Sequence, residues 1–436
     1  MSIIFTAFYW FLFNGLIYRF ENLQFLAYKR WVSLALFNAK CLAGIGLWLV
    51  YTFYYTQTEQ NDVHKFYNDA VVLHEAALES PGIFFDLMTT NQSNKFEKDE
   101  YRYYLDKMKN WNRHFDEAPV NENRLVIRAN ALLMLVTNKF YVVHILVMCF
   151  LAYIGWLLFY NALYRQYPAT NWLLALPALF LPSVLCWSSA VLKEPFLVLG
   201  MGLLFNGLLV FQFTLKNVLK VVFGIWLIVQ IKFYVLMCIA PAAFAFVLYA
   251  SRSGFRFVAI KYMTIVVLCV TLVTLVSYTT SVNAFQILAN KQEHTIKEAR
   301  YFNAGSVVEL NPVSNLHELL VATPLGLRNV LARPYPWESK NLMMLISSAE
   351  THVFLFYCIW LAYLSIKYRK VPDNTALLLF AAAMLYFVLI GISTPVLGNL
   401  VRYKSVMLPV FIASLILALP KVRLLQRYEL LFLQKP

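Results

Sequence analysis

Apolar runs about as long as a bilayer is thick recur along this chain from end to end. A membrane-crossing helix needs ~20 mostly apolar residues. Runs that approach or exceed this length lie at 2–18, 32–54, 140–163, 171–188, 195–213, 217–231, 233–250, 260–281, 347–366, 374–393 and 403–420. The 217–250 block is divided at Gln230–Lys232, where polar residues interrupt it. In lipid every backbone N–H and C=O must be satisfied within the protein, which leaves helices as the economical solution for such runs. The pattern predicts an all-α polytopic transmembrane bundle of about eleven spans, forming a single integral membrane domain over residues 1–436. Composition agrees: the chain is 60% hydrophobic and only 14% charged, against ~25% charged in soluble domains.

The net charge of +14 does not imply a nucleic-acid partner, because Lys and Arg sit at the ends of apolar runs rather than in one stripe. That distribution encodes topology. With the first run starting outside, one set of short loops collects most of the cations, among them Lys29, Arg30, Arg165, Lys216, Arg252, Lys367 and Arg423. The opposite set holds Lys193, Lys232, Arg402 and Lys404. The positive-inside rule then places the C-terminus in the cytoplasm. Two long segments, 55–139 and 282–346, fall outside as external loops, the first opening on an amphipathic helix suited to a membrane surface. The first run lacks a basic leader and a small-residue cleavage site, so it reads as a retained segment. The six cysteines all lie in apolar runs and read as small core hydrophobes.

Candidate chemistry gathers on the outer face of this topology. Trp187 to Pro195 places Lys193-Glu194 between two apolar runs, and charge inside a membrane is costly enough to call for a reason. Lys193, Lys232, Arg402 and Lys404 suit an anionic head group such as a lipid-linked phosphate. Taken singly, each also reads as a side chain snorkelling from a helix end. Asp62 and Asp69, seven residues apart, share a helix face. A carboxylate there suits a general base on an acceptor hydroxyl or a ligand orienting a divalent cation, and equally a solvated acidic face. Arg333 and Glu338 flank the turn Pro334-Tyr335-Pro336-Trp337, where Arg and aromatic rings together suit a sugar or head-group platform, or Trp337 an interfacial anchor. Glu350, at the start of the next run, calls for a partner. His64 and His74 have no metal-ligand spacing. Asn91-Gln92-Ser93 matches a glycosylation acceptor. No phosphate-binding glycine loop, GxSxG or HExxH occurs.

Three strings carry a resemblance: Pro182-Ser183 through Trp187-Ser188-Ser189 to Lys193-Glu194, the Arg333 to Glu338 turn, and Gly398-Asn399 with Arg402-Tyr403-Lys404 and Pro409. In these and in layout the chain resembles bacterial polytopic enzymes of surface-glycan assembly: GT-C class glycosyltransferases and O-antigen polymerase-like proteins. The resemblance implies a membrane enzyme of polysaccharide biosynthesis using a polyprenyl-phosphate-linked sugar at the outer face of the bacterial inner membrane. It implies an acidic acceptor-side residue at Asp69 or Asp62, and arginine roles for Arg333 and Arg402. In the GT-C class the acidic loop follows the first span, whereas here it follows the second. A transporter or flippase of a lipid-linked or anionic substrate, or a non-catalytic subunit of an envelope complex, accounts for the same features.

Overall fold

The computed structural model describes residues 2–55, 62–89, 99–111, 122–210, 214–248, 255–280, 283–301, 306–308, 310–368, 371–421 and 426–434. They are mostly helical: α1 Ser2–Arg19, α2 Arg30–Leu49, α3 Asp62–Glu79, α4 Pro81–Thr89, α5 Asp99–Leu105, α6 Glu122–Thr137, α7 Tyr141–Gln166, α8 Leu176–Leu179, α9 Pro182–Trp187, α10 Glu194–Val210, α11 Leu215–Leu248, α12 Phe255–Thr279, α13 Ala284–Tyr301, α14 Leu316–Ala332, α15 Leu342–Tyr368, α16 Asn374–Ser393, α17 Leu397–Ser405, α18 Leu408–Leu417 and α19 Gln426–Phe432. An isolated antiparallel β-bridge joins Val307 with Val396.

Six of these helices are long and apolar enough to cross a membrane: α2 with its π-helical extension, α7, α11, α12, α15 and α16. The pair α17 and α18, bent by 49°, makes a seventh if it counts as one span. The runs at 2–18 and 195–213 form the shorter apolar helices α1 and α10. These apolar helices make the chain a membrane-embedded, all-helical protein. The run at 171–188 differs from expectation. It forms a 3-10 turn and the short helices α8 and α9, because Pro177 and Pro182 each lack the N–H that continues a helix. The expected division near Gln230–Lys232 appears as a break inside α11, where Lys232 leaves helical geometry at φ −153° and ψ 84°.

The chain divides into two compact units: residues 1–166 with 185–233, and residues 167–184 with 234–436. In the first unit, α7 packs on α10 with backbone against backbone. A Cβ on Gly155 would meet the Val198 carbonyl oxygen at 2.5 Å, and one on Gly202 would overlap the Gly155 backbone. Small residues allow this approach, the usual way apolar helices associate where lipid gives no hydrophobic drive. Helix α3 buries Val63, Phe66, Ala70, Leu73 and Ala76 on one face, spaced at helical intervals. That face packs largely on α6, which buries Val126, Ile127, Ala131 and Met134, so helix packing covers the face expected to lie on a membrane surface.

In the second unit, α14 crosses α16 by the same device. A Cβ on Gly326 would lie 2.7 Å from Ile392 Cγ2, and one on Gly391 would overlap the Gly326 backbone. Helix α14 starts cleanly because Asn315 Oδ1 accepts the Glu318 N–H at 2.9 Å, while the Glu318 carboxylate accepts from the Ser314 N–H. Buried Gln292 of α13 donates to the carbonyls of Ile392, at 2.6 Å, and Asn311, at 3.3 Å, and accepts from the Val313 N–H. It pins the end of α16 to the segment leading into α14.

Candidate functional site

The first unit holds five of the expected site residues: Asp62, Asp69, Lys193, Glu194 and Lys232. Lys193 Nζ is 2.9 Å from Glu122 Oε2, and Lys232 Nζ is 3.2 Å from Glu194 Oε1. Glu194 is fully buried and Lys232 nearly so. The adjacent Lys193 and Glu194 therefore turn to different partners, and the break in α11 at Lys232 brings its ammonium to Glu194. Such pairs hold their position strongly, since removing one partner leaves a buried charge uncompensated. Asp69 is also buried, and its Oδ2 accepts the Asn110 N–H at 2.8 Å. Burial raises its carboxyl pKa to about 6, against the opposing pull of the backbone N–H groups of Asn110 and Lys109. The side chain of Asp62 lies outside the described residues, as does the Asn91-Gln92-Ser93 acceptor string.

The other expected site residues belong to the second unit. Arg402 and Lys404 are buried on α17. Lys404 Nζ donates to the carbonyl oxygens of Val330, at 3.1 Å, and Arg333, at 3.2 Å, and to Thr351 Oγ1 at 2.9 Å. It thus caps the C-terminal end of α14, where unpaired carbonyls favour a cation. Glu350 lies within electrostatic reach of Lys404, and its carboxylate accepts from the Ser183 N–H at 2.9 Å and from the Ser183 hydroxyl. The partner that Glu350 required is therefore Ser183, with Lys404 close by.

Beyond this cap the chain turns sharply. The Arg333–Pro334 peptide is cis. Glu338 closes the turn, with Oε2 accepting the Tyr335 N–H at 3.0 Å and Oε1 lying 3.1 Å from Arg333 Nε. The Arg333–Glu338 contact is an ion pair without hydrogen-bond alignment: Nε and Nη1 of Arg333 are buried and hydrogen-bond nothing among the described residues. Trp337 is 79% exposed and stacks on Tyr335 at 4.8 Å between ring centres.

Arg333 and Glu338 line a cavity of about 440 Å³. Its walls are the Gly326 to Asn329 face of α14, Met344 of α15, Gly391 and Ile392 at the end of α16, and the bridged segment Ser306 to Val308. The Val308 N–H to Pro395 O (2.7 Å) and Leu397 N–H to Ser306 O (3.0 Å) bonds hold that last wall. Arg328 and Lys340 add two more cations to the lining, and Glu338 is the one acidic side chain among the described residues that line it. Asn329 also lines the cavity; it is buried, and its Oδ1 has no hydrogen-bond partner among the described residues. The lining mixes these polar groups with Val307, Leu310, Leu325, Ile392 and Leu397. Such a cavity can take an amphiphile whose anion meets the guanidinium groups.

Of the expected residues, then, the structure brings Arg333, Glu338 and Lys404 into one construction, and pairs Glu194 with Lys232 in another. Sequence reasoning missed Arg328, Asn329 and Lys340. A signal was available, since Arg328 and Arg333 bracket Asn329 on the last turn of an amphipathic helix running into a proline turn. Among the described residues, no group of three or more His, Cys, Asp or Glu side chains is arranged to hold a metal ion. Compared with protein-family models, curated proteins and solved structures, the chain matches none.

Proposed function

We propose that this protein is a glycosyltransferase of the bacterial inner membrane that moves a sugar or glycan from a polyprenyl-(pyro)phosphate-linked donor to an acceptor on the external face. The observation that carries this reading is Arg333: a guanidinium held in place by Glu338, with buried N–H groups left unbonded, in a cavity shared with Arg328 and Lys340. Preorganised cations of this kind stabilise phosphate as charge develops on it when a glycosyl bond breaks. The cavity touches the ends of two apolar helices, α15 and α16, which suits a donor whose tail stays in the bilayer. Several of its lining residues fall in 282–346, one of the two segments that the charge pattern assigns to the outside in an eleven-span topology with a cytoplasmic C-terminus. The likeness in motif strings to GT-C class and O-antigen polymerase-like enzymes supports the same chemistry.

The test is reconstitution of the purified protein with a polyprenyl-pyrophosphate-linked sugar, with Arg333→Gln as comparison. Transfer of the sugar by the wild type and at least a tenfold lower rate in Arg333→Gln are expected. Transfer unchanged in the variant would remove Arg333 from the mechanism. A second reading, transport of the same lipid-linked substrate, is favoured by the break at Lys232 and the 49° bend between α17 and α18, since broken helices are common in transporters. Flux of a labelled donor across sealed vesicles without any new glycosidic bond would select it.

A further inference from the structure

The cavity presents two opposite, unmet demands at the C-terminal end of α14. Arg333 offers buried N–H donors, and Asn329, four residues earlier, offers a buried acceptor oxygen. Arg333 is the extended residue that ends the helix, one turn beyond Asn329. The backbone ties them further, because the Arg333 N–H donates to the Asn329 carbonyl at 3.3 Å. A buried polar atom left unpaired costs free energy, so a ligand that answers both demands is favoured over one that answers only the first. An anion alone satisfies Arg333 and leaves Asn329 Oδ1 unpaired.

We infer that the cavity selects a phosphate ester carrying a hydrogen-bond donor next to the phosphorus, and that Asn329 is the specificity-determining residue that reads this donor. The inference rests on the reading of the cavity as an anion site and names its substrate class. A glycosyl phosphate meets the requirement, because a ring hydroxyl or acetamido N–H lies a few bonds from the phosphate. Phospholipid head groups that carry ethanolamine or glycerol share the donor-beside-phosphate chemistry and are the alternative source. They carry their donors on a flexible chain, whereas a pyranose holds its donors on a rigid ring at less cost in ordering, and the sugar is favoured for that reason.

The experiment measures binding of matched probes to the full chain in nanodiscs of phosphatidylcholine. One probe is citronellyl glucosyl phosphate. The other is citronellyl methyl phosphate, a diester of equal charge with no donor. The wild type is expected to bind the glucosyl diester at least tenfold more tightly, on the order expected when a buried acceptor gains its partner. Asn329→Leu should bind both diesters alike, and Asn329→Ser, which keeps an acceptor, should retain part of the preference. Equal binding of the two diesters by the wild type, or an undiminished preference in Asn329→Leu, overturns the inference while leaving the anion site standing. No binding of either diester by the wild type overturns the anion site itself. Nanodiscs doped with phosphatidylethanolamine or phosphatidylglycerol provide the last arm. Competition from these lipids as effective as that of the glucosyl diester assigns the cavity to head groups and overturns the assignment to a sugar.

Discussion

Two charge clusters, one in each unit, are handled in different ways. In the first unit, Lys193 faces Glu122 and Lys232 faces Glu194, each cation meeting a carboxylate within 3.2 Å. In the second, Arg333 has its carboxylate at 3.1 Å and still keeps buried N–H groups without hydrogen bonds, beside an Asn329 oxygen in the same state. The first arrangement locks helices together, because charge removed from water is tolerable only when paired. The second stores binding capacity, because unmet donors and acceptors in a cavity are available to a ligand. A charge in an apolar setting is therefore not by itself a sign of a ligand. What separates the two cases is whether its hydrogen-bonding capacity is already used.

The largest effect on stability should come from breaking a pair in the first unit. Glu194→Ala leaves Lys232 buried beside an apolar void and should cost about 3–5 kcal/mol. The double variant Glu194→Leu with Lys232→Met should recover most of it. Denaturant titration in mixed micelles reads both, and a fully stable single variant would show the pair to be dispensable.

Asp69 comes next. Its folded-state pKa of about 6 lies above the 3.8 of an exposed aspartate. The folded chain therefore keeps a proton that the unfolded chain has lost between those values. Its contribution is fully present below about pH 4 and is lost as pH rises through about 6, a change of roughly 3 kcal/mol. Asp69→Asn should flatten that part of the stability–pH profile, and an unchanged profile would assign the slope elsewhere.

Gly202→Ala tests the α7–α10 crossing and should cost about 1–3 kcal/mol through overpacking. Its readout is the denaturant midpoint. The smallest change in stability should come from Arg333→Gln, about 1 kcal/mol, because the ion pair it breaks leaves Glu338 partly exposed to water rather than fully buried. Anion binding should nevertheless fall by tenfold or more, as measured by titration with citronellyl methyl phosphate. If Arg333→Gln instead destabilised the fold as much as Glu194→Ala, the contrast between the units would collapse.

Much of this organisation was legible in local pattern. Apolar runs marked the spanning helices, and Gln230 with Lys232 marked the break in α11, because a polar interruption and a backbone irregularity coincide there. The Arg333 to Glu338 turn declared itself through two prolines and opposite charges five residues apart. What local pattern could not supply was partnership across long separations. Glu122 is 71 residues from Lys193, and Ser183 is 167 from Glu350. Helix packing creates those pairs, and no spacing rule anticipates them. The α3 face shows the same limit: its periodicity announced an apolar stripe, but whether a membrane or α6 would cover it depended on the rest of the unit.

The close crossing of α7 and α10 also bears on how this chain can vary over evolutionary time. Every single-base change in a glycine codon that replaces glycine by another amino acid introduces a Cβ. At Gly155 and Gly202 that atom has no room against the facing backbone. Neither position has a neutral neighbour in the genetic code, and a change at one cannot be accommodated by shrinking the other, which already has no side chain. Compensation has to come from displacement of a whole helix. The crossing should therefore stay fixed while lipid-facing residues around it drift.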